Sequence, residues 1–478
     1  MFKFTKIGAT IGPSSQDGVL LEKMIKAGMN FARLNFAHGT YEWDEKIIKK
    51  IREASKKTGE PVAILQDLQG PRIRIGDLPA EGVKVAEGET VTLDTAVTSY
   101  EGKSLPVDQP DLHVYLKAGE RILIDDGRIE LKVLKVEGTV LKTVVTEGGT
   151  VLSHKGINLP DSRLKIPALS EKDRNDLRFG IKNGVDMVGL SFVSTANDVI
   201  DTRFLIERII KEEKIDQPGK ILIIAKIERH EAVENIDEIL GVADGIMVAR
   251  GDLGLELPLE EVPLIQKKII DKARSLAKPV IVATQLLDSM RESYRPTRAE
   301  VSDVANAVID HADALLLTNE TAAGIHPVES VETMAKIILA TEKSAYDDTP
   351  TPPIQKGKSI VGAVSELSRL LAEEVGAKFI LAASQTGETG RLISHVRPNL
   401  PIFVATTEEI VLRQLNLSWG VRSFILPYCT SIEEFVVRSI AYIKKGKHAK
   451  DGDKMIVLAG EPMNQAGNVN LVEVREIR

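Results

Sequence analysis

The chain has 478 residues, 43% of them hydrophobic and 27% charged, with a formal net charge of −7. That length points to two to four domains. The negative balance speaks against a general nucleic-acid or membrane-surface role, so an anionic substrate needs a local cluster of Arg and Lys. One cysteine, Cys429, excludes an intrachain disulfide and a cysteine metal cluster. With no signal-like apolar run in MFKFTKIGATIG and no stretch of ~20 apolar residues, a soluble cytoplasmic protein is expected.

In chain order, the first strand-like run is KIGATI, followed by a helical pattern over 17–29, the run FARLNF and a second helical pattern over 41–57. The run AILQDL comes next, ending at Leu68, and then the texture changes. KVAEGETVTLDTAV and RILIDDGRIELKVLKVEGTVLKTVV alternate at period two, which reads as a small all-β insertion over about 72–160. Five further runs follow: MVGLSF, ILIIAKIE, GIMVAR, PVIVAT and ALLLTN, with helical patterns between them, among them 259–278. Capping-box pairs are expected at Ser170 with Asp173 and at Thr297 with Glu300. Apart from the gap holding the insertion, successive run ends lie about 22 to 36 residues apart. That is the length of one strand, loop, helix and return, repeated eight times. Near-continuous apolar strands between helices imply a parallel sheet covered on both faces, hence a (β/α)8 barrel with an inserted β lid on its third βα loop.

A helix over 328–346 should close the barrel, and DDTPTPPIQKGK (347–358) reads as a linker. Beyond it, alternating helical and strand patterns, ending on NLVEVREI, describe a smaller α/β open sheet. The expected division is 1–71 with 161–346 for the barrel, 72–160 for the lid and 347–478 for the C-terminal domain.

Barrel chemistry sits at the C-terminal ends of the strands. There the sequence places Arg33, Asn35 and His38, then Asp67, Ser191, Lys226, Glu228, Arg250, Asp252 and Thr284. Alternation puts Lys226 and Glu228 on one side of a strand. In isolation the two could be a plain ion pair. Glu228 and Asp252, from adjacent strand ends, form a sparse all-oxygen set suited to Mg²⁺, with Mn²⁺ as a substitute. Gly251 permits close backbone approach at the turn after strand six. Arg33 can clamp a phosphate bidentately or simply tie the rim, and the His38-Gly turn fits loop closure as well as chemistry. Arg72, Arg74 and Lys155 put positive charge at the two lid hinges, which suits a polyphosphate but also a solvated hinge. No Walker A loop, dinucleotide fingerprint or HExxH motif is present, and Gly8 to Gly12 do not form one.

These residues lie in motifs that resemble pyruvate kinase over essentially the whole chain. TKIGATIGP is similar to the family's TKIxxTIGP, and AGMNFARLNFAHG to its MxxARxNFSHG. LQDLQGPRIRIG, INLPDSRLKIPALSEKD, IAKIERHEAVENIDEI, MVARGDLGLELP, PVIVATQLLDSM and RPTRAEVSDVANAVIDHAD follow in family order. The resemblance implies phosphoryl transfer from phosphoenolpyruvate to ADP, giving pyruvate and ATP, in a homotetramer. It implies that Arg33 holds the moving phosphate, and that Lys226 stabilises the enolate and the transferring group. Glu228 and Asp252 would ligate Mg²⁺. Gly251, Asp252 and Thr284 would hold the substrate carboxylate, with Thr284 near the proton-donating water. Asn35, His38, Arg74 and Lys155 would contact the nucleotide.

The family's monovalent-ion ligands survive at Asn35, Asp67 and the carbonyl of Leu68, but the family's serine is Ala37 and the glutamate of GPEIR is Arg72. Potassium independence is the expectation, with Arg72 substituting for the cation. Thr318, Asn319 and Ser194 are further departures. In the C-terminal domain, SQTGETG offers Ser384, Thr386, Gly387 and Thr389 as an effector site for a phosphorylated or nucleotide ligand, at a helix start near Glu388 whose own charge opposes a phosphate. Two other readings are a metal-dependent pyruvate lyase or aldolase and a catalytically dead regulator. The five intact barrel residues Arg33, Lys226, Glu228, Asp252 and Thr284 argue against the second.

Overall fold

The structure is a computed structural model. It describes residues 2–37, 39–164, 166–216, 219–347, 360–460 and 469–478. His38 and nearly all of the expected 347–358 linker lie outside the described residues.

Eight parallel strands close into a barrel in chain order, with the eighth returning to the first. They are Lys6–Thr10, Met29–Asn35, Ala63–Asp67, Met187–Leu190, Leu222–Ile227, Gly245–Ala249, Val280–Ala283 and Ala314–Leu317. Most are buried along their whole length, as expected for strands with a side-chain core inside and helices outside. Phe31, Leu65, Met187, Ile224, Met247, Ile281 and Leu316 fill the interior. Gly8 belongs to that packing: a Cβ there would lie 2.2 Å from the Phe31 ring, so the strand-one glycine makes room for a large neighbour. Both expected capping boxes form, at Ser170 with Asp173 and at Thr297 with Glu300.

Between strands three and four, a seven-stranded sheet runs from Ile73–Arg74 to Gly156–Asn158, joined by a two-stranded sheet and one short helix, Leu112–Tyr115. It has its own apolar core, separate from the barrel's. The C-terminal region carries a five-stranded sheet in which Leu471–Glu476 alone runs antiparallel. Its short helical segment Leu415–Leu417 inserts Leu417 into the apolar cluster inside the barrel. The two units therefore share core as well as surface.

One element differs from expectation at the mouth. Arg250–Glu256 is a helix starting directly at the end of strand six, not a turn. Gly251 and Gly254 hide it in the sequence, because glycine costs about 1 kcal/mol in a helix interior.

Candidate active site

Strand register brings the polar ends together. Thr10 is level with Arg33, Asn35 with Asp67, and Asp67 with Gly189 of strand four. Asp67, 1% exposed, is the hub. Arg33 Nε lies 2.5 Å from its Oδ2, and Lys226 Nζ lies 3.2 Å from its Oδ1. Arg33 Nη1 also donates to Thr10 Oγ1 at 3.0 Å, so Nη2 has no partner among the described residues. Lys226 reaches Glu228 Oε1 at 2.9 Å and donates to Ser191 Oγ at 2.7 Å. Ser191 in turn donates to the carbonyl of Leu68 at 2.7 Å. Glu228 Oε2 accepts from the backbone of Phe192 at 2.7 Å.

The electrostatics follow from this burial. Desolvation alone would push the Lys226 ammonium down, but Asp67 and then Glu228 hold it above its ordinary range. Burial would likewise raise Asp67, and Arg33 with Lys226 keep it below the usual carboxylate value. Glu228 goes the other way. Burial and the charge of Asp252 raise it in spite of Lys226. Asp252 lies in the first turn of the Arg250–Glu256 helix and makes no hydrogen bond or ion pair among the described residues. Three carboxylates (Asp67, Glu228, Asp252) thus face two cations. An acidic pair whose half-buried member, Asp252, is unpartnered and whose buried member, Glu228, is raised by that neighbour fits a small, hard divalent cation.

Beside this pair, Thr284 has φ +72° and Phe192 φ +54°, costly conformations for a β-branched and an aromatic residue. Thr284 Oγ1 accepts from the Gly251 amide at 2.8 Å, which leaves its own proton to donate. Arg250 fixes this corner by donating to Thr284 O at 2.8 Å and pairing with Asp303 at 2.7 Å. Gly251 therefore already spends its amide on Thr284.

Several expected residues are placed otherwise. Asn35 Oδ1 accepts from Ala37 N at 3.2 Å, and with Asp67 and the Leu68 carbonyl also engaged, all three retained monovalent-ion oxygens have protein donors. The Arg72 guanidinium pairs with Asp126 at 3.2 Å at the lid hinge. Arg74 donates to the His154 carbonyl at 2.9 Å, and Lys155 pairs with Asp125 at 2.7 Å. In the C-terminal domain, Gly387, φ +80°, precedes the helix Glu388–His395. Thr386 Oγ1 accepts from Glu388 N at 3.4 Å, while Ser384 and Thr389 are 8% and 6% exposed, so the loop does not present a row of free hydroxyls.

Sequence reasoning missed Thr10, the bridging role of Ser191, and Asp125 with Asp126. Thr10 obeys the same rule of polar strand ends that exposed the others. The two aspartates stand in IDDGR, a hairpin turn in which both take φ +55°.

A (β/α)8 barrel whose mouth carries paired cations beside a partly unsatisfied acidic pair is an enzyme scaffold for anionic substrates. Family sequence models described as "Pyruvate kinase, barrel domain" and "Pyruvate kinase, alpha/beta domain" match residues 2–331 and 362–475. The chain is 42% identical to the pyruvate kinase of Mycobacterium tuberculosis strain H37Rv over 472 residues, covering 99% of this chain and 98% of that protein. It is 41% identical to that of Geobacillus stearothermophilus over 482 residues, covering 100% and 81% respectively. A crystal structure of a pyruvate kinase from Cryptosporidium parvum superposes with a TM-score of 0.93 at 34% identity, covering 100% of this chain and 96% of that one. The chain belongs to the pyruvate kinase family of phosphotransferases.

Proposed function

We propose that the barrel mouth transfers the phosphoryl group of phosphoenolpyruvate to ADP, giving pyruvate and ATP. The observation that carries this reading is the Arg33–Asp67–Lys226–Glu228 chain, with Asp252 beside it. Arg33 is oriented by Asp67 and Thr10, so its remaining Nη2 is aimed by fixed neighbours and can bind a phosphate oxygen with little reorganisation. Lys226 stays protonated throughout, so it works as a fixed positive charge toward the phosphoryl oxygens and the enolate, not as a base. Thr284, its hydroxyl oxygen occupied by Gly251 N, directs its proton toward the substrate and can serve the water that protonates the enolate. Glu228 and Asp252 would hold Mg²⁺, or Mn²⁺ in its place. Such an ion supplies charge neutralisation on phosphoryl and enolate oxygens. With positioning and charge supplied by this chain's own side chains, the transfer needs no covalent enzyme intermediate.

Arg74, Lys155, Asn35 and His38 are proposed to meet the nucleotide, with the cations leaving their present carbonyl and carboxylate partners. Residues 72–160 act as the lid, 1–71 with 161–346 as the catalytic barrel, and 347–478 as the regulatory domain, which takes a phosphorylated or nucleotide effector near Ser384 to Thr389. A cytoplasmic homotetramer is the expected assembly, checked by sedimentation. Among the described residues no helix is long and apolar enough to cross a membrane.

Potassium should not be required. The retained oxygens at Asn35, Asp67 and Leu68 have protein donors, and Ala37 brings no hydroxyl. The Arg72–Asp126 pair, with side chains 31% and 70% exposed, is worth about 0–1 kcal/mol, so Arg72 can leave it for a substrate anion at little cost. The test is a coupled assay of pyruvate release from phosphoenolpyruvate and ADP, with and without Mg²⁺, in KCl against tetramethylammonium chloride. No turnover with Mg²⁺ present overturns the reaction, and a rise above about tenfold with K⁺ overturns the potassium reading.

A further inference from the structure

Beside the Glu228/Asp252 pair lies a second cluster that the proposed reaction does not use. The loop after strand five leads into a short helix, His230–Glu234, which carries His230 and Glu231. The last residue of the Arg250–Glu256 helix is Glu256, one turn beyond Asp252. His230 Nδ1 lies 3.4 Å from Glu231 Oε2 and 3.5 Å from Glu256 Oε2, and the three atoms all fall within 4.8 Å of one another. The two glutamates are 7% and 8% exposed, and each Oε2, with the histidine Nδ1, is buried with only these long contacts among the three.

We propose that this cluster is a second divalent-metal site, selective for a transition ion of the Zn²⁺ or Co²⁺ class and separate in every ligand atom from the Glu228/Asp252 pair. Bonds of about 2.0–2.1 Å to imidazole nitrogen and carboxylate oxygen set tetrahedral ligand atoms about 3.4 Å apart. The two distances from Nδ1 already match that edge. An imidazole among the donors favours Zn²⁺ or Co²⁺ over Mg²⁺, which prefers oxygen alone and keeps its waters. Arg229 Nη2 lies 3.3 Å from Glu231 Oε1 and offsets one of the two carboxylates. The ion would clamp the loop after strand five, which follows Glu228, to the far end of the helix that begins with Asp252. Its role would be to hold the acidic pair at its spacing, with water in the open position. The lid reaches the same helix, since a Cβ at Gly127 would lie 3.1 Å from Leu255 Cδ2.

The test uses the full chain, stripped of metal with a chelator and returned to excess Mg²⁺, then titrated with Co²⁺. The expected result is an intense visible absorption band that saturates at about one equivalent, resists Mg²⁺ and is displaced by Zn²⁺, as lower-coordinate Co²⁺ with a nitrogen ligand requires. His230→Gln and Glu256→Gln should each weaken Co²⁺ binding at least about tenfold. A band that is absent, or that both substitutions leave unchanged, overturns the proposal. Should either variant fail to fold, anomalous scattering at the cobalt edge from crystals of the unmutated protein decides. A peak within about 2.5 Å of His230 Nδ1 supports the site, and a peak only at Glu228 and Asp252, or none, refutes it.

Discussion

Lys226 illustrates how much a single side chain can be asked to do. Its position at a strand end suggests a residue free to face an anion, replaceable without harm to the fold. The structure places it between Asp67 and Glu228, each 1% exposed, with Ser191 as a third partner. Lys226→Met therefore does two things. It removes the fixed cation opposite the developing enolate, and kcat should fall by at least ~10³, equivalent to about 4 kcal/mol of transition-state stabilisation. It also leaves Asp67 and Glu228 short of a buried counter-ion, which costs about 3–5 kcal/mol. The expected outcome is a folded but less stable protein, seen as a lower Tm by circular dichroism together with the kinetic loss. Activity within tenfold of the parent would remove Lys226 from the mechanism. Arg72 makes a complementary case. Arg72→Glu with Ala37→Ser restores the acid and the hydroxyl of the family's pattern, and should create a potassium requirement, measured as the ratio of kcat in KCl to that in tetramethylammonium chloride. A ratio near one in the double variant would show that these positions do not govern the ion.

At the scale of elements, the helix Tyr41–Thr58 carries an unusual burden in its first turn. Asp44 is 2% exposed, and its Oδ1 is buried without a partner. Burial, and then the neighbouring charge of Asp176, push its carboxyl up to about 7 against the opposing pull of Lys172. In the unfolded chain the group titrates near its ordinary value of 3.8. Below that pH both states are protonated and Asp44 is neutral to stability. Between the two values the unfolded chain ionises first, so stability falls as pH rises, and the full penalty is present above about 7. Asp44→Asn should leave Tm unchanged near pH 4 and raise it near pH 8. An equal effect at both pH values would assign the gain to packing instead of charge. Elements also show where the sequence stops being legible. The eight barrel strands stand out because burial on both faces makes each an unbroken apolar run, and the polar residue closing each run marks the mouth. The helix Arg250–Glu256 does not, because its two glycines look like a turn. The partners of Arg72 and Lys155 are equally hidden. Asp126 lies 54 residues from Arg72 and Asp125 lies 30 from Lys155, and only the folded lid sheet makes them neighbours.

On the scale of the whole molecule, the C-terminal unit is bound to the floor of the barrel, opposite the mouth. Leu417 enters the interior core, Asn416 donates to the Pro61 carbonyl, and Phe4 stacks on Trp419 with ring centroids 4.5 Å apart. The polar centre of this joint is Asp186, fully buried just ahead of strand four. Its Oδ2 lies 2.8 Å from Arg52 Nη2 and accepts from Ile64 N at 2.7 Å, while its Oδ1 lies 2.7 Å from Arg413 Nε of the C-terminal unit. Gln414, the next residue, donates to the Asp186 carbonyl at 2.9 Å. One carboxylate thus joins a barrel helix, a barrel strand and a helix more than two hundred residues away. Removing it strands two guanidinium groups and an amide, so Asp186→Ala should destabilise by about 3–5 kcal/mol. Arg413→Ala alone should cost less, because Arg52 still neutralises the acid. If the carboxylate couples the two units, the effects of Asp186→Ala and Arg413→Ala will be strongly non-additive in denaturant melts. Calorimetry of Asp186→Ala should then separate the melting of the C-terminal unit from that of the barrel. A single undivided transition, with additive single-variant effects, would show that Leu417 and the surrounding apolar contacts hold the two together without the charge.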